Sequence, residues 1–165
     1  MKTYLLKKLL LNNMGSQLEV AFKAIDRKDF VRPKHREIAY EDRSLPIGYG
    51  QTISQPYTVR FMLRLLHIKK GHHVLDIGSG PGWTTALMDY LVGDSGDVIG
   101  IERIPQLIHF GQRNFAKYNF SQAKIKEAGD RLRYPITDEK SFKIVRAFFL
   151  ARDSPDSYIN NTQIF

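Results

Sequence analysis

At 165 residues, 42% of them hydrophobic, the chain has the size and apolar content of one globular domain with a sizeable core. It contains no cysteine, which excludes disulfides, thiolate zinc sites and thiol nucleophiles and is compatible with a reducing cytoplasm. A formal net charge of +8 favours polyanions and acidic partners by non-specific attraction without identifying a substrate, so nucleic acid stays open as an alternative ligand.

The first segment, MKTYLLKKLLLNN, has the basic start of a secretion signal, but Lys7 and Lys8 interrupt its apolar run and no small-residue cleavage site follows. Leu5, Leu6, Leu9 and Leu10 recur at helical spacing, which predicts an amphipathic helix with its leucine face on the body of the protein. No stretch approaches the roughly 18 apolar residues of a membrane-spanning helix, so a soluble protein without membrane contact is expected. Ser16-Gln-Leu-Glu19 is a capping-box pattern, and the helix it starts carries Leu18, Ala21, Phe22 and Ile25 on one side. Arg32, Lys34, His35 and Arg36 cluster around Pro33. Without interleaved aromatic residues they read as a solvated loop rather than a phosphate-binding patch.

Asp42 to Pro56, DRSLPIGYGQTISQP, combines glycines, prolines and small hydroxyls, which predicts a long loop rather than a helix or strand. Such loops are frequent carriers of function. Pro56 suits the first turn of a helix reaching about Leu66, with Val59, Met62, Leu63 and Leu66 on its buried face, and Ser54 is placed to cap it.

The next stretch organises the chain. In HHVLDIGSGPGWT, from His72 to Thr84, the apolar Val74, Leu75 and Ile77 predict a buried parallel strand, and Gly78, Gly80 and Gly82 punctuate a turn into a helix. A turn of this composition lets backbone approach a ligand, and the free N–H groups of a helix start suit an anionic group. Glycines also serve tight turns for steric reasons alone, so a plain turn and a ligand site are both open at this point. His72 and His73 are adjacent in the strand and point to opposite faces, which argues against a joint metal site.

A helix follows from Thr85 to Leu91, with Ala86, Leu87 and Leu91 inward. Asp97 to Glu102 is the second strand, Gln106 to Tyr118 a helix, Ala123 to Glu127 a third strand, and Phe142 to Leu150 a fourth hydrophobic run. The alternation predicts a parallel α/β sheet with right-handed crossovers. In such sheets ligands lie at the C-terminal strand ends. Asp76, Glu102 and Asp130 all stand at such ends, and an acid closing the second strand can accept hydrogen bonds from both ribose hydroxyls. Singly, each could be a capping or surface carboxylate. Their recurrence points to a nucleoside ligand.

The acid within the first strand and the order GSGPG resemble the first motif of S-adenosylmethionine-dependent methyltransferases more than a GxGxxG dinucleotide fingerprint. LPIGYGQTISQP, at Leu45 to Pro56, is strongly similar to the signature loop of protein-L-isoaspartate O-methyltransferases, with AFKAIDRKDFV and AYEDRSLPIG similar to their preceding helix and linker. The resemblance covers roughly Leu11 to Asp130. It implies a Rossmann-like class I S-adenosylmethionine-dependent methyltransferase fold, a parallel sheet with an N-terminal helical extension. The expected organisation is a single domain over residues 1–165, with N-terminal helices and substrate loop in 1–70 and the cofactor-binding core in 71–165.

The same resemblance implies a cytoplasmic protein-repair enzyme that moves a methyl group from S-adenosyl-L-methionine to the α-carboxylate of isoaspartyl residues in proteins and peptides. The methyl ester can collapse to a succinimide and so lead back to aspartate. Asp76, Gly78, Ser79 and Gly80 are then expected at the cofactor, with backbone around the glycines facing its methionine part, Glu102 on the ribose and Asp130 near the adenine. Ser54 would be the hydroxyl between substrate and cofactor, with Thr52 and Ile53 shaping the same mouth. A carboxylate is ionised at neutral pH, so no general base and no metal are expected. Alternatives are an inactive S-adenosylmethionine-binding remnant and an RNA methyltransferase, although nucleic acid is the less expected partner.

The sequence departs from the family pattern in three places. Arg131 follows Gly129-Asp130 where a second glycine is usual, and SFKIVRAFFLARDSP, Ser141 to Pro155, carries Lys143 where an acid is usual. The chain also ends at Phe165, before the family's last strands, so the fourth strand is expected to present an exposed edge that self-association or a partner would cover.

Overall fold

The computed structural model describes residues 17–120, 123–128 and 144–147. The expected leucine-faced helix of residues 1–13, Ser16 of the capping box and Asp130 lie outside these residues. Helix α1, residues 17–24, buries Leu18 and Ala21, with Ile25 following, as its spacing predicts. Asp26 then caps a 3-10 turn over Arg27–Phe30 by accepting the Lys28 N–H at 2.9 Å, and Pro33 opens a second over Pro33–Ile38.

The stretch expected as a loop from Asp42 to Pro56 contains an antiparallel hairpin instead. Strands β1 (Leu45–Gly48) and β2 (Gln51–Ile53) pair Leu45 with Ile53 and Pro46 with Thr52. Leu45, Ile47 and Ile53 are buried, so the backbone between them must find partners, and pairing supplies them. Gly48, Tyr49 and Gly50 reverse the chain, all with positive φ (97°, 58° and 69°).

Helix α2 (Pro56–Leu66) runs as predicted, with Val59 and Leu63 buried. Ser54 does not cap it. Gln55 occupies the cap position without a side-chain bond, and Asp42 Oδ1 accepts the Tyr57 N–H at 2.7 Å. An acceptor from upstream therefore satisfies a first-turn donor that a local hydroxyl was expected to take.

The remaining elements alternate: β3 (His73–Ile77), α3 (Trp83–Val92), β4 (Asp97–Glu102), α4 (Pro105–Phe115), β5 (Lys124–Glu127) and β6 (Ile144–Ala147). Strands β3 to β6 form one parallel sheet in the order β5-β4-β3-β6. The chain steps outward from β3 through β4 to β5, then returns to place β6 on the other side of β3. Strand order thus reverses at β3, where ligands lie in folds of this kind. Helix α3 starts two residues before its predicted start, and α4 stops at Phe115, short of Tyr118.

A single buried cluster joins Leu18, Ile25, Phe30 and Ile47 from the first half of the described chain to Val74, Leu87, Leu107 and Ile125 from the second. Helix α3 runs through its middle and is buried at every position except Tyr90. One of its buried residues is Asp89, 7% exposed, which accepts a hydrogen bond from the Ala123 backbone ahead of β5. Burial pushes its carboxyl up to about 6, helped by the negative charges of Asp97 and Asp94 and opposed by that hydrogen bond. Among the described residues no helix is long and apolar enough to cross a membrane.

Candidate functional site

The turn between β3 and α3 is fixed by its backbone. The N–H groups of Gly78 and Ser79 both donate to the Ile101 carbonyl on β4, at 2.8 and 3.0 Å, which draws the turn across the end of the neighbouring strand. Gly82 closes the turn at φ 88°, and a Cβ there would lie 2.7 Å from Phe115 and 2.8 Å from Ile125. A side chain at Gly82 is therefore excluded twice, by conformation and by space.

Glu102, at the end of β4, braces this turn from the other side. Its Oε2 accepts the Gly80 N–H at 3.0 Å, while Oε1 accepts those of Arg103 and Ile104 at 2.7 and 3.1 Å. An ionised carboxylate has about four lone-pair sites, so with three N–H groups accepted one site remains, on Oε2, for a donor from a ligand. Ser79 Oγ is buried with no hydrogen-bond partner among the described residues. A buried hydroxyl in that state calls for a partner such as a water or a ligand group.

These groups face a cleft of about 590 Å³, within the range of small-molecule sites. Ile77, Gly78, Ser79 and Gly80 form its floor, Glu102, Arg103 and Ile104 one side, and Thr52, Ile53 and Ser54 from the end of the hairpin the other. Three segments separated by 22 or more positions in sequence thus meet at one cavity. Asp76 does not line it. That carboxylate is fully buried behind the wall, where it accepts the Thr85 hydroxyl at 2.7 Å and ties β3 to α3 on either side of the turn. Among the described residues no group of three or more His, Cys, Asp or Glu side chains is placed to hold a metal ion.

Sequence reasoning passed over several lining residues. Trp83 and Thr84 open α3 at the cleft, and Arg103 and Ile104 extend the Glu102 side; their only signal is adjacency to Gly82 and Glu102. Gln51, Gln55 and Thr58 carry no pattern that marks them. Nor is the basic cluster uniformly solvated, since Arg32 Nε donates to the Ile47 carbonyl at 2.6 Å and its guanidinium lies 4.4 Å from the Phe110 ring centroid.

The chain resembles a set of known proteins in both sequence and fold. Over 111 residues it is 42% identical to a protein-L-isoaspartate O-methyltransferase of Methanothrix thermoacetophila, covering 67% of this chain and 53% of that protein. A protein of the same name from Fervidobacterium nodosum is 50% identical over 93 residues, 56% of this chain and 47% of that one. The chain spans about half the length of these relatives. Among solved structures, a protein-L-isoaspartate O-methyltransferase aligns with TM-score 0.60 at 25% identity, over 72% of this chain and 41% of that one. A Plasmodium falciparum beta-aspartate methyltransferase (PCMT) in complex with S-adenosyl-L-homocysteine aligns with TM-score 0.57 at 28% identity, over 72% and 61%. The fold is accordingly the Rossmann-like one of S-adenosylmethionine-dependent methyltransferases. The family model for protein-L-isoaspartate(D-aspartate) O-methyltransferase matches residues 2–139, and the chain belongs to that family.

Proposed function

We propose that this chain carries the cofactor site and the substrate mouth of a carboxyl O-methyltransferase that acts on isoaspartyl residues of proteins and peptides. The observation that carries the reading is the sharing of one cleft by the Glu102-braced glycine turn and by Ser54 at the hairpin end. S-adenosyl-L-methionine, when bound, supplies an electrophilic sulfonium methyl. The residues present fit such a group. Glu102 retains an acceptor site for a ribose hydroxyl, the unpartnered Ser79 Oγ offers a further hydrogen bond, and the Gly78–Gly80 backbone leaves room for close approach. Asp76 contributes from behind the wall by holding the turn, and Asp130 belongs to the same proposal as a residue near the adenine.

With that group held by Glu102 and the Gly78–Gly80 turn, a substrate carboxylate oxygen would take the methyl group, a C–O bond forming as the C–S bond broke with its electron pair left on sulfur. No proton moves, so the site needs no general base. Ser54, with Thr52 and Ile53, orients the incoming carboxylate, while Ile47, Ile53, Trp83 and Ile104 provide apolar walls that keep water from the charge-cancelling step. We place the activity in the cytoplasm on the same footing.

Calorimetric titration with S-adenosylhomocysteine, followed by methyl transfer to an isoaspartyl peptide in the same sample, tests the proposal. Binding with transfer supports it. Binding without transfer reduces the chain to a cofactor-binding module, and a folded chain that does not bind overturns the cofactor site as well.

A further inference from the structure

Arg27 is 3% exposed and sits at the start of the first 3-10 turn, within the stretch AFKAIDRKDFV but among none of the residues expected at the site. Its guanidinium donates to backbone carbonyls. Nη1 reaches Ala39 at 2.5 Å and Glu41 at 3.3 Å, and Nη2 reaches Arg43 at 2.9 Å and Ser54 at 3.0 Å. Arg43 precedes β1 and Ser54 follows β2, so a single nitrogen joins the two sides of the hairpin base. The guanidinium carbon also lies 5.4 Å from the ring centroid of Trp83, which lines the cleft at the start of α3. Burial lowers the pKa to about 10, with Asp42 opposing the change, so the cation persists at neutral pH.

A buried cation is costly unless its hydrogen bonds are made. Here Nη1 and Nη2 make four, one of them to the carbonyl of Ser54, while Nε has no partner among the described residues, and no lysine can reproduce a planar fork that reaches carbonyls on separate segments. We infer that Arg27 is a positioning residue for methyl transfer: it closes the base of the hairpin and holds Ser54 against the Trp83 end of the cleft. The inference rests on the functional reading above. It also separates two parts of the site, because the Glu102 brace on the glycine turn shares no hydrogen bond with Arg27.

The test uses Arg27→Lys and Arg27→Gln, with Leu63→Ala on α2 as a control that lowers stability from a buried position outside the hairpin. Misplacement of a reacting group on the order of 1 Å can cost about 100-fold in rate, so kcat towards an isoaspartyl peptide should fall roughly 10- to 100-fold in both Arg27 variants. Affinity for S-adenosylhomocysteine should stay within about threefold, a change of well under 1 kcal/mol. Trp83 is the only tryptophan in the chain, and acrylamide quenching of its fluorescence should increase in the Arg27 variants and not in the control. A kcat loss no larger than that of Leu63→Ala, or unchanged quenching, overturns the inference. Should the unaltered chain bind cofactor product and transfer no methyl group, the functional reading fails by itself. The quenching comparison then decides the clamp: an increase supports it, and no change overturns it.

Discussion

Glu102 Oε2 accepts the Gly80 N–H at 3.0 Å, so the acid that ends β4 supports the glycine turn that ends β3. The same carboxylate therefore shapes the site and offers a remaining acceptor site to a ligand. Replacing it by alanine removes both contributions. Hydrogen bonds to charged groups are worth about 1.5–3 kcal/mol, so Glu102→Ala should weaken S-adenosylhomocysteine binding by roughly 10- to 100-fold. Isothermal titration checks this, and an unchanged dissociation constant would remove Glu102 from the cofactor site.

Ser54 behaves differently because its hydroxyl caps nothing. Asp42 provides the side-chain bond to the first turn of α2, and only the carbonyl of Ser54 is engaged by Arg27. Ser54→Ala should accordingly leave the unfolding midpoint within about 0.5 kcal/mol of the unaltered chain. Methyl transfer to an isoaspartyl peptide should fall roughly 10- to 100-fold if the hydroxyl orients the substrate carboxylate, with cofactor-product affinity unchanged. Equal turnover by both proteins would count against that role.

How far the sequence discloses this site depends on whether each signal is local. The β3-turn-α3 unit is legible because an apolar run, three glycines and a helix start occupy adjacent positions, and Glu102 is legible because a strand ends on it. The hairpin is not. Its strands are four and three residues long, one holds a proline, and the left-handed conformations of Gly48, Tyr49 and Gly50 that make it possible have no unique sequence mark. Arg27 is still less visible, since its partners are backbone carbonyls 12 to 27 positions away and any residue type can supply a carbonyl. Family resemblance finds the stretch that bears Ser54, but only the fold shows what holds it.

Asp76 and Thr85 offer a test of support from behind the cleft. The carboxylate is fully buried and accepts the threonine hydroxyl at 2.7 Å, linking the strand and helix that flank the turn. Thr85→Val keeps the shape and removes this donor from a buried charge, which should cost about 1–3 kcal/mol in urea unfolding. Because neither side chain lines the cleft, affinity for S-adenosylhomocysteine should fall less than in Glu102→Ala. The reverse order would move Asp76 from support to direct contact.

Asp89 gives the fold a pH dependence of definite sign. Its carboxyl is raised from 3.8 to about 6 by burial on α3, so between these values the folded chain holds a proton that the unfolded chain has released. Stability therefore falls as pH rises through this window, and the full cost is present above about pH 6. Asp89→Asn retains an oxygen for the Ala123 N–H and removes the charge. With each pKa unit worth about 1.4 kcal/mol and some of that screened by solvent, the variant should be more stable than the unaltered chain by on the order of 1–2 kcal/mol at pH 8. At pH 4, where the folded carboxyl is already neutral, the two should unfold at nearly the same urea concentration. Urea titrations of both proteins across this range check the sign. A gain that is the same at every pH would trace to packing or propensity on α3, and a loss at pH 8 would show that the ionised carboxylate is held by its surroundings instead of being penalised by them.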